Sequence, residues 1–329
     1  NTLRSIWGSA ANDIWAVGDA GTIVHYDGVT WSSPIATGEA GTQDLYSIYG
    51  TSANNIWAVG ASGTLVHWNG TKWELSSQSG LTSTQLAAFD TTTLSALDAT
   101  RYGALTATQV KAFTTTQIAG MDSSDVAKLG ATQLQALSLA QVGALTTTGI
   151  ADLAATQMQA LATTQLNALS STNLNALTDT QLAALTTTQI VGLSTTQAAA
   201  LTATNVGSLT TTQVGSLTAA QLGRLSSDAL IAFDATQFGA LSATQVRALS
   251  TTQLGNLDAN DIAEFTTTQI AGLATTQVRG LNDTAIAALA ATQIAALTTA
   301  QVQSLNTTSL VAFLDTQVAA MTTTQVARS

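Results

Sequence analysis

Leu185-Thr-Thr-Thr-Gln-Ile-Val-Gly192 is one of thirty-one eight-residue units that run from Leu81 to Arg328 without an insertion or deletion. The octad positions are lettered a to h, with Leu81 at a. Position a is Leu, Phe or Met in every copy, and position f is apolar in every copy. Position b is Thr, Ser, Asp or Asn in 25 of the 31 octads, position e is Gln in 21, and position h is Ala, Gly or Ser in 25. A repeat this strict dictates architecture before any single residue does.

A continuous α-helix cannot use the pattern. Eight residues turn a helix by about 800°, so each copy falls about 80° out of phase with the last. A flat strand fails as well, because a and f are five positions apart and face opposite sides. A broken helix satisfies every position. With the N-cap at b, as at Thr186, the hydroxyl accepts the third amide of the helix and Gln189 reaches back to the cap amide, which is a capping box. Leu185 and Ile190 then form the hydrophobic staple across the helix start. Each octad is expected to be a helix of about six residues followed by a corner. It is too short to stand alone, since helix nucleation is costly, and is held by packing on its neighbours in a solenoid.

The departures from Gln at e carry a second period. They fall at Thr93, Arg101, Asp125, Gly149, Asn173, Asn205, Ala229, Asp261, Ala285 and Ser309, and from Arg101 onward their mean spacing is 26 residues, or 3.25 octads. The expectation is one superhelical turn per 3.25 octads, with the exceptional octads lined up in a stripe. Phe233, Phe265 and Phe313 each follow such an octad. The rival is a β-solenoid of three octads per coil. The non-integer period and the Ala, Leu and Gln content favour helices.

Residues 1–80 read differently. All six tryptophans and both histidines lie there, and all six phenylalanines lie after it. A second repeat is offset by 42: Leu3-Arg-Ser-Ile-Trp-Gly8 matches Leu45-Tyr-Ser-Ile-Tyr-Gly50, Asp13-Ile-Trp-Ala-Val-Gly18 matches Asn55-Ile-Trp-Ala-Val-Gly60, and Gly21-Thr-Ile-Val-His-Tyr-Asp-Gly28 matches Gly63-Thr-Leu-Val-His-Trp-Asn-Gly70. Each copy predicts short strands, with hairpin turns at Asp27-Gly28 and Asn69-Gly70. The organisation expected is therefore two β blades over 1–80 and an octapeptide short-helix solenoid over 81–329, with the fold mostly α.

The blade motifs, Ile-Trp-Ala-Val-Gly followed by Gly-Thr-Ile-Val-His-Tyr, resemble BNR-like or sialidase-like propeller repeats of secreted bacterial proteins, over about a quarter of the chain. The resemblance implies a fold, not an activity, and two blades cannot close a ring. The run Leu209-Thr-Thr-Thr-Gln-Val214 looks like the opening helix of TAL-effector repeats. The octad departs from them in lacking their second helix, their length and their basic character.

Charged residues are 9% of the chain and the net charge is −10, against roughly 25% charged residues in ordinary domains. Three lysines and six arginines argue against nucleic acid, which is bound through clustered cations. They argue equally against an anionic membrane surface. No apolar run approaches the ~20 residues of a membrane span. Cysteine is absent, which excludes disulfides and thiol chemistry. The Thr/Ser/Ala/Gln array without Cys suits a secreted protein at a bacterial cell surface. A start at Asn1 and an end inside the repeat suggest a processed chain or a piece of one.

No catalytic constellation stands out. His25 and His67 occupy equivalent blade positions and read as strand-packing residues, because site chemistry needs converging partners. Trp15 and Trp57 read as blade core, whereas Trp31, Trp68 and Trp73 are candidates for exposed contact with a glycan or protein. Asp125, Asp228, Asp258, Asp261 and Asp283 match no calcium-loop spacing, so neither a metal nor any other cofactor is expected. The expectation is an extracellular structural protein, a filament subunit or stalk, that self-associates into a homopolymer. Its blade edges, which carry unpaired strand groups, would dock on the stripe of a neighbour near Arg101, Asp125 and Asp261. The alternative is an adhesin-like binding module held out by the octads.

Overall fold

The computed structural model describes residues 1–35, 42–76 and 81–327 of the chain. By compactness it divides into two units, Asn1–Ala168 and Leu169–Ser329. The change of element type comes earlier, between the last strand, which ends at Leu75, and the first helix, which starts at Ser83. The boundary expected near Gly80 lies outside the described residues.

Two antiparallel sheets open the first unit. Strands β1 (Leu3–Ala10), β2 (Asp13–Gly18) and β3 (Ile23–Tyr26) form one; β4 (Leu45–Ser52), β5 (Asn55–Gly60), β6 (Leu65–Trp68) and β7 (Trp73–Leu75) form the other. The 42-residue repeat holds in register: Trp7 pairs with Trp15 and Trp15 with His25, just as Tyr49 pairs with Trp57 and Trp57 with His67. The hairpin glycines take the left-handed backbone that L side chains avoid, Gly28 at φ 97° and Gly70 at φ 92°. The sheets bury a shared core of Trp15, Val17 and Ile23 from the first against Leu45, Ile48, Ala58 and Trp73 from the second. Trp7 lies over Gly50 so closely that a β-carbon there would come within 2.6 Å of its ring.

The octads are helices, which removes the β-solenoid. Each of the thirty-one has one helix of four to six residues, from α1 (Ser83–Ala88) to α31 (Thr323–Val326), among the described residues. The expected local structure is present in detail at Thr186. Its hydroxyl accepts from the Gln189 amide at 3.2 Å, and its own amide donates to Gln189 Oε1 at 2.8 Å. Where b is alanine only the glutamine half survives, as at Ala290, whose amide donates to Gln293 Oε1 at 2.6 Å. Leu185 and Ile190 are both buried.

Within each unit, helices three apart in sequence pack on one another. In the first, α4 (Ala107–Lys111) lies on α7 (Ala131–Ala136). In the second, α21 (Ala243–Arg247) lies on α24 (Thr267–Gly272). The start of the array is covered by sheet, because β4 packs on α1 and on α2 (Thr91–Ser95). In the last three octads the f residues, buried elsewhere along the array, are open: Leu310, Val318 and Val326 are 36, 51 and 53% exposed.

Candidate interaction surfaces and the amide ladder

Glutamine at e is buried, and a buried amide must satisfy both its ends. Gln213 shows how. Its Oε1 accepts the Thr210 amide at 2.8 Å, which caps its own helix. Its Nε2 then donates to the carbonyls of Leu182 at 2.8 Å and Leu185 at 2.7 Å. Those oxygens are the orphan acceptors at the C-terminus of a helix 28 to 31 residues earlier. The same double bond recurs through both units: Gln117 to Leu86 and Phe89, Gln133 to Tyr102 and Leu105, Gln253 to Leu222 and Leu225, Gln325 to Ile294 and Leu297. One side chain therefore closes a helix start and an earlier helix end together. At the first rung no octad precedes, and the buried Nε2 of Gln85 has no partner.

The exceptional octads do not bring an exposed stripe to position e. Thr93, Asp125, Ala229, Ala285 and Ser309 are each at most 1% exposed. A β-carbon on Gly149 would lie 3.1 Å from the Val126 side chain, so at that place the packing itself leaves room only for a small residue. At Phe233, Phe238 and Phe265 the aromatic rings meet edge to face, with centroids 5.5 and 5.3 Å apart.

The three residues expected at a subunit contact are engaged within the chain to different degrees. Asp125 is buried. Its carboxylate accepts from the Ser95 hydroxyl and pairs with Lys128 at 2.8 Å, while Lys128 donates to the Leu97 carbonyl at 3.0 Å. An Asp–Lys pair thus reaches the same earlier helix end that glutamine reaches elsewhere. Lys128 also lies 5.3 Å from the centre of the buried Tyr102 ring, and burial, with Asp125 and Asp122 nearby, pushes the Tyr102 phenol up. Arg101 pairs with Asp98 at 2.5 Å and lies against Gly63 of the second sheet. Asp261 is half-buried and accepts the Asp258 amide at 2.9 Å. Burial, and then the neighbouring Asp258, raise its carboxyl, while the amide bond opposes them. Burial together with Asp261, Asp234 and Asp258 raises Glu264.

In the blades, Trp31 is 46% exposed. Trp73 is 5% exposed and belongs to the core rather than the surface, and Trp68 packs against the same core with its ring 4.8 Å from Trp15. The three tryptophans do not form one platform. The histidines are strand-packing residues with one shared arrangement. His25 Nε2 lies 2.7 Å from Asp13, which also accepts from Trp15 and Ser9. His67 Nε2 lies 2.8 Å from Asn55 Oδ1, which also accepts from Trp57 at 3.0 Å. Each imidazole stacks on its tryptophan at 4.2 and 4.3 Å. Sequence reading missed this node, although Asp13 and Asn55 open equivalent strands. Among the described residues, no group of three or more His, Cys, Asp or Glu side chains is arranged to hold a metal, and no helix is long and apolar enough to cross a membrane.

The family pattern described as ALTTAQ repeat matches residues 118–155, 180–211 and 262–299, about a third of the chain and all within the octads. The literal string stands at Ala296-Leu-Thr-Thr-Ala-Gln301. The chain is similar to that repeat in three places, as an array requires. No curated protein matches it.

Proposed function

We propose that this is a non-catalytic structural protein of the bacterial cell exterior, a filament subunit or stalk. Its octads wind as a superhelix of about 3.25 units per turn, and its blades are propeller-like. The observation that carries this reading is the amide ladder. The recurrent polar side chains are turned inward and bonded to the chain's own backbone, as in Gln213 and Gln253. Repetition in such a chain builds length and stiffness, not a reaction centre. Helices that pack three apart, with amide bonds that reach 28 to 31 residues back, support a coil that closes between three and four octads. Low charge and the absence of cysteine support an exterior location, and self-association is the partner this reading expects.

A second reading, an adhesin-like module, is favoured by one feature. Leu3, Ile6 and Trp31 line a shallow apolar hollow on the first sheet that could take a glycan or a protein loop. Negative-stain microscopy of the full chain at rising concentration tests the first reading. Filaments, or rods longer than a globular particle of this mass, are expected. Compact spheres at every concentration would overturn it.

A further inference from the structure

The two sheets match in register, and the second shows what covers the face that is open on the first. The face of the second sheet turned to the first carries Leu45, Ile48, Ile56, Val66 and Trp73, which are 1, 4, 0, 0 and 5% exposed. The same positions of the first sheet, 42 residues earlier, are Leu3, Ile6, Ile14, Val24 and Trp31. Of these, Leu3, Ile6 and Trp31 are 50, 63 and 46% exposed, and Ile14 and Val24 are only partly buried. Ile6 pairs with Ala16 and Ala16 with Val24, as Ile48 pairs with Ala58 and Ala58 with Val66, so these side chains point the same way in both sheets. The difference lies in the neighbour, not in the sheet.

That neighbour is known for the second sheet. Trp7, Trp15, Val17 and Ile23, on the opposite face of the first sheet, cover it, and the Ser5 hydroxyl accepts the Ile48 amide at 3.3 Å. The corresponding residues of the second sheet, Trp57, Val59 and Leu65, are themselves buried at 2, 0 and 0% exposure, and β4 packs on the first two helices. Each sheet therefore has a covering face and a covered face. Both covering faces are occupied, and the covered face of the first sheet is open. A second copy of the chain has no free covering face to offer it.

We propose that the outer face of the first sheet, Leu3, Ile6, Ile14, Val24 and Trp31, is a docking surface for a further blade of this same 42-residue repeat, joined ahead of the first. The occupant presents a Trp and Val face like that of Trp15 and Val17. This inference does not depend on the scaffold reading above.

The full chain lacks cysteine, so Ile6→Cys supplies a single reporter thiol. In the parent chain it should react freely with a thiol reagent. With a second copy of residues 1–42 fused ahead of Asn1, its labelling should slow by about tenfold or more, as for a group that reacts only through local opening. In the same fusion, a Trp31→Cys reporter should be protected too, and should regain the parent rate when Ile6→Asp is added. An unchanged Ile6→Cys rate in the fusion would overturn the proposal whether or not the added segment folds, because a lone small sheet is marginal in water and docking is what would fold it. Protection that grows with concentration in the parent chain would also overturn it, since a second copy would then be the occupant.

Discussion

The side-chain nitrogen of Gln213 lies 2.7 Å from the carbonyl oxygen of Leu185, 28 residues earlier in the chain. The other end of the same amide caps the helix to which Gln213 belongs. Glutamate could make the second bond but not the first, because an ionised carboxylate only accepts. Gln213→Glu should therefore cost about 2–3 kcal/mol at neutral pH, as for buried acceptors left unsatisfied. Thr210→Ala, which removes one cap, should cost about 1 kcal/mol. Urea unfolding midpoints measure both. Part of the Gln213→Glu loss should return at acid pH, where a protonated carboxyl can donate; equal costs for the two variants at neutral pH would remove the ladder's structural role.

The staple should matter more than the cap. Leu185→Ala empties a site that is 3% exposed and should cost roughly 2–5 kcal/mol, against about 1 kcal/mol for Thr186→Ala. Because repeat arrays unfold as coupled neighbours, hydrogen exchange mapped along the second unit is the appropriate measurement. The Leu185→Ala loss is expected to concentrate in the octads that touch position 185.

Burial holds the His67 imidazole below its ordinary value of 6.5, against a weaker opposing pull from Glu74. The folded state thus prefers neutral His67. Its contribution to stability is present above about pH 6.5 and is lost as the pH falls through the depressed folded value. Asn55 offers His67 an amide oxygen, whereas Asp13 offers His25 a carboxylate. Asn55→Asp should therefore remove much of the His67 penalty at mildly acid pH. Thermal melts between pH 7.5 and pH 5 of the parent and of Asn55→Asp check this, and parallel curves would speak against it.

Asp261 behaves in the opposite sense. Its carboxyl is raised mainly by burial, so the folded state favours the protonated form. That contribution is complete below the ordinary carboxylate range and is lost as the pH rises through the raised value. Asp261→Asn should therefore raise the melting temperature at pH 7 and make little difference in acid. Asn205 shows that asparagine fits the role, since its Oδ1 accepts the Thr202 amide at 3.1 Å. Differential scanning calorimetry across pH is the measurement, and a melting temperature at pH 7 no higher than the parent's would count against the assignment.

What the sequence made legible was what eight neighbouring residues decide among themselves. The Thr186 cap, the Gln189 return bond and the Leu185–Ile190 staple all lie within one octad, and each depends on residue type. The other half of the glutamine amide was not legible, because its partners are backbone carbonyls, which carry no residue identity, 28 to 31 positions away. The exceptional octads were legible as a period but not in their environment. Asp125 reads as a surface acid until the fold places Lys128 and Ser95 beside it. Trp31 and Trp73 make the point most directly. They are the same residue at equivalent repeat positions, one 46% and the other 5% exposed, and only the neighbouring sheet separates them.

The glutamine ladder also bears on heredity. Every rung reaches for carbonyls at the same octad positions, so removing one whole octad offers each glutamine beyond the cut an equivalent set of oxygens from the next helix along. Misalignment during copying of so repetitive a gene therefore yields a shorter or longer coil whose amide bonds can re-form. Only the small-residue positions such as Gly149, where the packing is tight, fall out of line. Length becomes a trait that replication errors can vary in steps of eight residues, and packing at those few positions sets which steps survive.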